Sequence, residues 1–132
     1  IGSFSYYFSN YDFFILIIFA VGAIIFLTEL NSNTATIATF SPILIIFAIG
    51  INQNPLFLVI PATIAASCAF MLPIATPPNA VIFGSGKIKI SDMVRAGFLL
   101  NIISLLIISV VGFVLIPYVF DININTLPAW AN

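Results

Sequence analysis

Residues 28–34, Thr-Glu-Leu-Asn-Ser-Asn-Thr, bring hydroxyl, amide and carboxylate oxygens together in seven consecutive positions. A helix that ends near Leu30 would leave carbonyl oxygens unpaired at the negative end of its dipole, which suits Na⁺. A helix that begins near Thr34 would present free N–H groups to a carboxylate, and Ser32 and Asn33 are residue types that cap such a helix. The stretch therefore predicts a site where a cation and an anion bind side by side.

A second polar interruption lies at residues 75–79, Ala-Thr-Pro-Pro-Asn. Because two successive prolines have no N–H, the carbonyls one turn earlier lose their helical partners. Residues that precede a proline are also pushed toward extended geometry. We therefore expect unwound backbone with free oxygens at Ala75 and Thr76, followed by a short helix that Asn79 caps.

Both interruptions lie between apolar stretches. Residues 13–27 and 35–51 carry no charge, yet each is shorter than the roughly 20 residues of a comfortable membrane span. Two short stretches around a polar tip predict a re-entrant hairpin over residues 13–51, with its tip at residues 28–34. Interrupted helices at membrane depth mark the binding sites of transporters. The alternative, two full spans joined by an ordinary polar loop, has the same sidedness and stays open.

The composition indicates that the chain lies in a membrane. Of its 132 residues, 62% are hydrophobic and 5% are charged, and the mean hydropathy is +1.26. The apolar runs are continuous and do not alternate, which favours membrane helices over a β-barrel. The chain has no His and one Cys, so a His or thiolate metal site is excluded. A net charge of −1 gives no nucleic-acid footprint, and no nucleophile–base pair indicates an enzyme.

The remaining segments complete an all-α, polytopic membrane protein. We expect an interfacial lead-in at residues 1–12, a broken transmembrane helix over residues 56–86 that is unwound at residues 75–79, a last transmembrane helix over residues 92–120, and a tail at residues 121–132. The three basic residues Lys87, Lys89 and Arg95 all fall within residues 87–95. This cluster predicts a cytoplasmic side there and a C-terminus outside.

Glu29 and the polar residues of the last helix allow two interpretations each. Glu29 is either a surface carboxylate in a loop or an intramembrane charge near the cation site, and intramembrane carboxylates are functional by default. Asn101, Ser104 and Ser109 suit hydrogen bonds between helices better than ligand binding. The first residues, Ile-Gly-Ser, lack the features of a signal peptide, and we expect that the chain was cut from a longer protein.

Three stretches resemble a known family. Residues 28–36 resemble the C-terminal Ser-Asn-Thr signature of the divalent anion/Na⁺ symporters, which carry dicarboxylates, citrate or sulfate with Na⁺. Residues 70–80 followed by residues 83–86 look like the second C-terminal motif of that family, and residues 92–97 with Asn101 continue the match. Together the similar region covers about residues 13–116.

The resemblance implies an architecture and a mechanism. Family members are homodimers of roughly eleven-helix protomers with two inverted repeats, each holding a re-entrant hairpin and a broken helix. The present chain looks like the last part of the second repeat, without the N-terminal half and its own Ser-Asn-Thr motif. The resemblance further implies Na⁺-coupled symport of a succinate-like anion by an elevator-type movement, in the plasma membrane of a bacterium. On this basis the chain holds half of a binding site.

The resemblance also implies roles for single residues. The Na⁺ ligands would be Thr28, the Asn31 backbone, Asn33 and the Ala75 backbone. The substrate carboxylate would meet Ser32, Asn33, Thr34, Thr76 and Pro77. Glu29 and Asn79 would contact these ligands and hold them in place without binding the ion or the substrate. Two other functions stay open: a carrier of sulfate or another anion within the same family, and a small structural membrane subunit whose polar breaks mediate assembly.

Overall fold

The computed structural model describes residues 10–123 and 126–131. Most of the predicted lead-in, residues 1–9, and residues 124, 125 and 132 of the predicted tail therefore lie outside the described residues. The described part is helical and contains no strand. Its elements in chain order are α1 (Asn10–Leu27), α2 (Asn33–Gly50), α3 (Leu56–Ala65), α4 (Pro77–Gly84), α5 (Ile90–Phe120) and a short 3₁₀ helix (Ala129–Ala131).

Helices α1, α3 and α5 pack against one another, and α2 packs mainly against α3. The inner face of α1 is formed by Phe13, Ile17, Val21 and Ile24, which are almost fully buried. Their spacing of three or four residues places them on one side of the helix. Opposite them, Phe57 of α3 meets the Phe13 ring edge to face at 6.2 Å. This bundle is the scaffold that carries residues 28–34, the predicted hairpin tip.

Two of the helices, α2 and α5, are long and apolar enough to cross a membrane by length and composition. Helices α1 and α3 are also apolar but shorter. Large apolar side chains of α5, such as Leu99, Leu106 and Tyr118, are exposed. A helix with apolar residues all round its circumference is suited to lipid or to further protein.

The structure corrects the predicted position of the second break. The helix was expected to continue from residue 56 to the break at residue 75, but α3 ends at Ala65 and residues 66–76 are not helical. The chain becomes helical again at Pro77, so the prediction of unwound backbone at residues 77–79 is wrong. The physical reason is that proline fits the first turn of a helix, where its missing N–H has no partner anyway. We call residues 66–76 the broken segment.

The last helix also differs in detail from the expectation. It begins at Ile90, two residues before the predicted start, and it continues through Pro117 to Phe120. Asp121 ends it in the left-handed conformation, with φ 51°. In its C-terminal half, a Cβ placed on Gly112 would lie 2.9 Å from Cγ of Pro61. The absence of a side chain at Gly112 therefore lets α3 and α5 approach closely.

Candidate functional site

The predicted hairpin tip lies between the end of α1 and the start of α2. Helix α1 ends at Leu27, and Ser32 is the N-cap of α2, with its hydroxyl accepting a hydrogen bond from the Ala35 N–H at 3.1 Å. Thr36 is buried and its hydroxyl donates to the Ser32 carbonyl at 3.0 Å. The first bond satisfies one of the free N–H groups in the first turn of α2, and the two bonds together tie the start of the helix to Ser32.

Three oxygens converge where the tip meets the broken segment. The Thr28 hydroxyl is fully buried and lies 2.8 Å from Oδ1 of Asn33 and 2.9 Å from the carbonyl oxygen of Ala66. A hydroxyl has one proton to donate, so it can serve only one of the two acceptors at a time. The other oxygen is left for a donor or a cation. We call Thr28, Asn33 and the Ala66 carbonyl the oxygen cluster.

Two helix C-termini meet at the oxygen cluster. Thr28 follows the last residue of α1, and Ala66 follows the last residue of α3. Helix C-termini carry unpaired carbonyls and the negative end of the dipole. The surroundings of the cluster are therefore suited to a positive charge.

Glu29 joins the tip to the broken segment at a second place. Its side chain is only 3% exposed, which rules out the interpretation of a surface carboxylate. Oε1 accepts from the backbone N–H of Phe70 at 3.0 Å and of Met71 at 3.1 Å, and Oε2 accepts from Leu72 at 3.1 Å. The Asn101 amide of α5 donates to Oε1 at 2.7 Å. Asn101 therefore bonds between elements, whereas the Ser109 hydroxyl on the same helix is buried without a hydrogen-bond partner among the described residues.

The broken segment is also attached to α4. Asn79 is buried, and its Nδ2 donates to the carbonyls of Ala69 at 2.8 Å and Leu72 at 3.0 Å. The expectation that Asn79 caps α4 is wrong, because the cap is Thr76, whose hydroxyl accepts from the Asn79 N–H at 3.4 Å. Asn79 can reach back along the chain because it lies inside the first turn of α4.

Gly97 makes room for the broken segment against α5. A Cβ on this residue would overlap the carbonyl of Phe70 and would lie 2.5 Å from Cα of Met71. Both are backbone atoms, so no side-chain rotation could relieve the overlap. The sequence-based interpretation missed Gly97, although a glycine inside a helix usually has a packing reason.

The predicted site residues are placed as follows. Thr28 and Asn33 come together in the oxygen cluster, but Ala66 supplies the backbone oxygen there, and Ala75 shares no hydrogen bond with the cluster in the described chain. The Asn31 side chain is exposed and donates to the Leu27 carbonyl at 3.4 Å. Three of the predicted substrate residues are exposed: Ser32, Thr34 and Pro77. The other two, Asn33 and Thr76, are half-buried.

Comparison with known proteins shows the family to which the chain is related. The sequence profile described as "Sodium:sulfate symporter transmembrane region" matches residues 2–120. The chain belongs to this family. The resemblance to the divalent anion/Na⁺ symporters is thereby confirmed, and with it the assignment to a family of membrane symporters, which is not a class of enzyme.

Curated relatives in the sodium:sulfate symporter family carry the name "Sodium-dependent dicarboxylate transporter SdcS". The protein of Staphylococcus saprophyticus is 46% identical over 102 residues, which are 77% of this chain and 20% of the relative. The protein of Staphylococcus aureus strain MRSA252 is 50% identical over 98 residues, which are 74% of this chain and 19% of the relative. The chain thus spans about a fifth of the length of these relatives.

Proposed function

We propose that the chain forms half of the Na⁺ and anion site of a Na⁺-coupled dicarboxylate symporter. The observation that supports this most strongly is the oxygen cluster, in which one buried hydroxyl has a single proton for two acceptor oxygens. Unwound backbone and helix C-termini are the usual Na⁺ ligands in transporters with broken helices. The relatives are named as sodium-dependent dicarboxylate transporters, which favours Na⁺ as the cation and a dicarboxylate as the anion.

In this proposal Na⁺ binds Thr28, Asn33, the Ala66 carbonyl and the backbone oxygens of Asn31 and Ala75. The substrate carboxylate binds Ser32, Asn33 and Thr34 at the start of α2, where free N–H groups and the positive end of the dipole favour an anion. Thr76 and Pro77, at the start of α4, line the same pocket. Sulfate is the second candidate anion, because the description of the family names it.

The wider parts of the proposal come from the family resemblance. In the full-length protein the second half of the site comes from the first inverted repeat, the protomers form a homodimer, and the hairpin-bearing region moves as an elevator. The hairpin is re-entrant, residues 87–95 lie on the cytoplasmic side of the plasma membrane of a bacterium, and the C-terminus lies outside. The basic cluster supports this orientation.

The test is Na⁺-dependent succinate uptake into proteoliposomes by the full-length protein that contains this chain. Asn33→Ala removes one oxygen of the cluster, and Thr76→Ala removes the cap of α4 at the proposed substrate pocket. We expect the Na⁺ concentration for half-maximal uptake to rise about tenfold in the first variant, equivalent to about 1.4 kcal/mol. In the second variant we expect the half-saturating succinate concentration to rise by a similar factor.

Two control variants match these changes away from the site. Asn123→Ala changes an exposed residue of the tail, and Thr63→Ala changes an exposed residue of α3 whose hydroxyl donates to its own helix at Val59. Uptake in both controls should equal that of the parent. Normal uptake with unchanged Na⁺ dependence in both site variants would exclude the proposed site, whatever the controls do.

The Asn33→Asp variant tests which atom of the side chain faces Thr28. If Oδ1 faces the cation, a carboxylate oxygen in the same place preserves or strengthens Na⁺ binding. If the amide were turned so that Nδ2 donates to the Thr28 hydroxyl, the hydrogen bonds would form a closed chain with no oxygen free for a cation. Asn33→Asp would then remove that donor, and the Na⁺ concentration for half-maximal uptake would not fall despite the added negative charge.

A further inference from the structure

Four donors surround the carboxylate of Glu29: three consecutive backbone N–H groups of the broken segment and the Asn101 amide. The donors from Phe70, Met71 and Asn101 reach Oε1, and the Leu72 N–H reaches Oε2. No lysine or arginine of the described chain is among the partners. The carboxylate is thus buried and held by N–H dipoles alone, and such burial is costly unless hydrogen bonds compensate it.

The three backbone bonds replace the hydrogen bonds of a helix. Residues 70–72 would donate to carbonyls one turn earlier if α3 continued, and here they donate to a side chain more than 40 positions away in sequence. The Phe70 N–H is shared with Oδ1 of Asn101 at 3.3 Å. Asn101 therefore contacts both the carboxylate and the backbone that the carboxylate holds, and it connects them to α5.

The attachment through Glu29 lies beside the oxygen cluster on both segments, the tip and the broken segment. Glu29 follows Thr28 directly, and Phe70 lies four residues after Ala66. Two neighbouring points on the tip are therefore joined to two neighbouring points on the broken segment. Such a pair of attachments fixes the distance between the Thr28 hydroxyl and the Ala66 carbonyl.

We propose that Glu29 is a positioning residue whose carboxylate, held by Asn101, fastens residues 70–72 to the hairpin tip and so keeps the Ala66 carbonyl beside Thr28. Its effect on Na⁺ rests on the proposed function, whereas its effect on the order of the broken segment does not. Preassembled ligands bind more tightly because less ordering is needed when the ion arrives. Loss of Glu29 should therefore loosen the broken segment and weaken Na⁺ binding together.

Cys68 is a reporter for the broken segment. It lies between Ala66 and Phe70, it is half-buried, and its thiol is 3.7 Å from the Ile64 carbonyl. The experiment measures the rate at which a maleimide labels Cys68 in the full-length protein, with Cys68 as the sole thiol, with and without Na⁺. In Na⁺-free buffer, Glu29→Gln should raise the labelling rate at least threefold, because it removes the charge and turns an amide donor toward one of the N–H groups.

Two further variants separate the position of the carboxylate from its charge, and a third serves as a control at an exposed site. Glu29→Asp keeps the charge but shortens the side chain by one methylene, so it should loosen the segment as Glu29→Gln does. Asn101→Ala keeps the carboxylate and removes one donor, so it should raise the labelling rate by a smaller factor. Asp92→Asn makes the same change as Glu29→Gln at an exposed position of α5 and should leave labelling unchanged.

Na⁺ titrations of the labelling rate complete the test. In the parent, Na⁺ should slow labelling, and the half-protecting concentration should rise about tenfold in Glu29→Gln. Labelling rates equal to the parent in Glu29→Gln and Asn101→Ala would overturn the inference, as would a parent-like rate in Glu29→Asp, which would leave only a role for charge. If the variants label faster but Na⁺ changes neither labelling nor uptake in the parent, the positioning role stands and the proposed Na⁺ function falls.

Discussion

Replacing Gly97 by alanine should destabilise the protein, although alanine is the better helix former by about 1 kcal/mol. The new Cβ would lie 2.5 Å from Cα of Met71 and would overlap the Phe70 carbonyl. Cβ atoms are essentially never found closer than 3.0 Å to such atoms. The contact with Met71 Cα therefore requires a shift of about 0.5 Å, in addition to any shift of the Phe70 carbonyl. Overpacking of this kind costs about 1–3 kcal/mol when side chains can adjust.

Here the obstacle is backbone, and Glu29 holds that backbone through the N–H groups of Phe70 and Met71. The cost should therefore lie at the upper end of that range, which leaves a net loss of about 2 kcal/mol after the gain in helix propensity. The assay is the thermal unfolding midpoint of the purified full-length protein in detergent, together with the Na⁺ dependence of uptake. The midpoint should fall and the Na⁺ concentration for half-maximal uptake should rise, because the displaced residues are those that Glu29 binds.

Gly22→Ala is the matched control for this prediction. Gly22 is also inside a helix, but its new Cβ would meet only the Leu105 side chain, at 3.6 Å, which is ordinary contact. The same substitution should therefore leave the midpoint unchanged or raise it. A midpoint for Gly97→Ala as high as that of Gly22→Ala would refute the close approach of α5 to the broken segment.

Two further predictions concern the attachment of the helices around the site. Asn79→Ala leaves the buried Ala69 carbonyl without its donor, which should cost about 1–3 kcal/mol; an unfolding midpoint equal to that of Asn123→Ala would contradict this. Gly112→Ala should cost less than Gly97→Ala, because its Cβ would meet the Pro61 ring at 2.9 Å and no backbone. Adding Pro61→Ala should relieve that contact, so a double-mutant cycle of unfolding midpoints should show coupling, and additive effects would argue against the contact.

The sequence was sufficient to predict helices, a polar tip and a second interruption, because each leaves a local signal. Apolar runs too short to span comfortably, a Ser-Asn-Thr cluster and a pair of prolines are visible without partners. The start of α4 illustrates the limit of such signals. Pro77 and Pro78 were expected to unwind the chain, but they form the first turn of a helix, since proline is compatible with that position.

The true start of the broken segment could not be predicted from nearby residues. Nothing in the sequence around Ala66 forbids a helix, and the region is rich in alanine, the best helix former. The helix ends there because the Thr28 hydroxyl and the Glu29 carboxylate, 38 to 43 positions away, bind the backbone of residues 66–72. Such long-range partners override local propensity, and they are visible only once the tip and the broken segment are seen together.

The oxygen cluster is tested most directly by Thr28→Val, which replaces the hydroxyl by a methyl group and keeps the branched shape of the side chain. The hydroxyl lies within 2.9 Å of both other members of the cluster, so its loss removes a ligand without opening a cavity. The measurement is the Na⁺ concentration that gives half-maximal succinate uptake by the full-length protein in proteoliposomes. We expect it to rise at least tenfold, or about 1.4 kcal/mol, with the half-saturating succinate concentration at saturating Na⁺ close to that of the parent. An unchanged Na⁺ dependence would contradict a cation site at the junction of the hairpin tip and the broken segment.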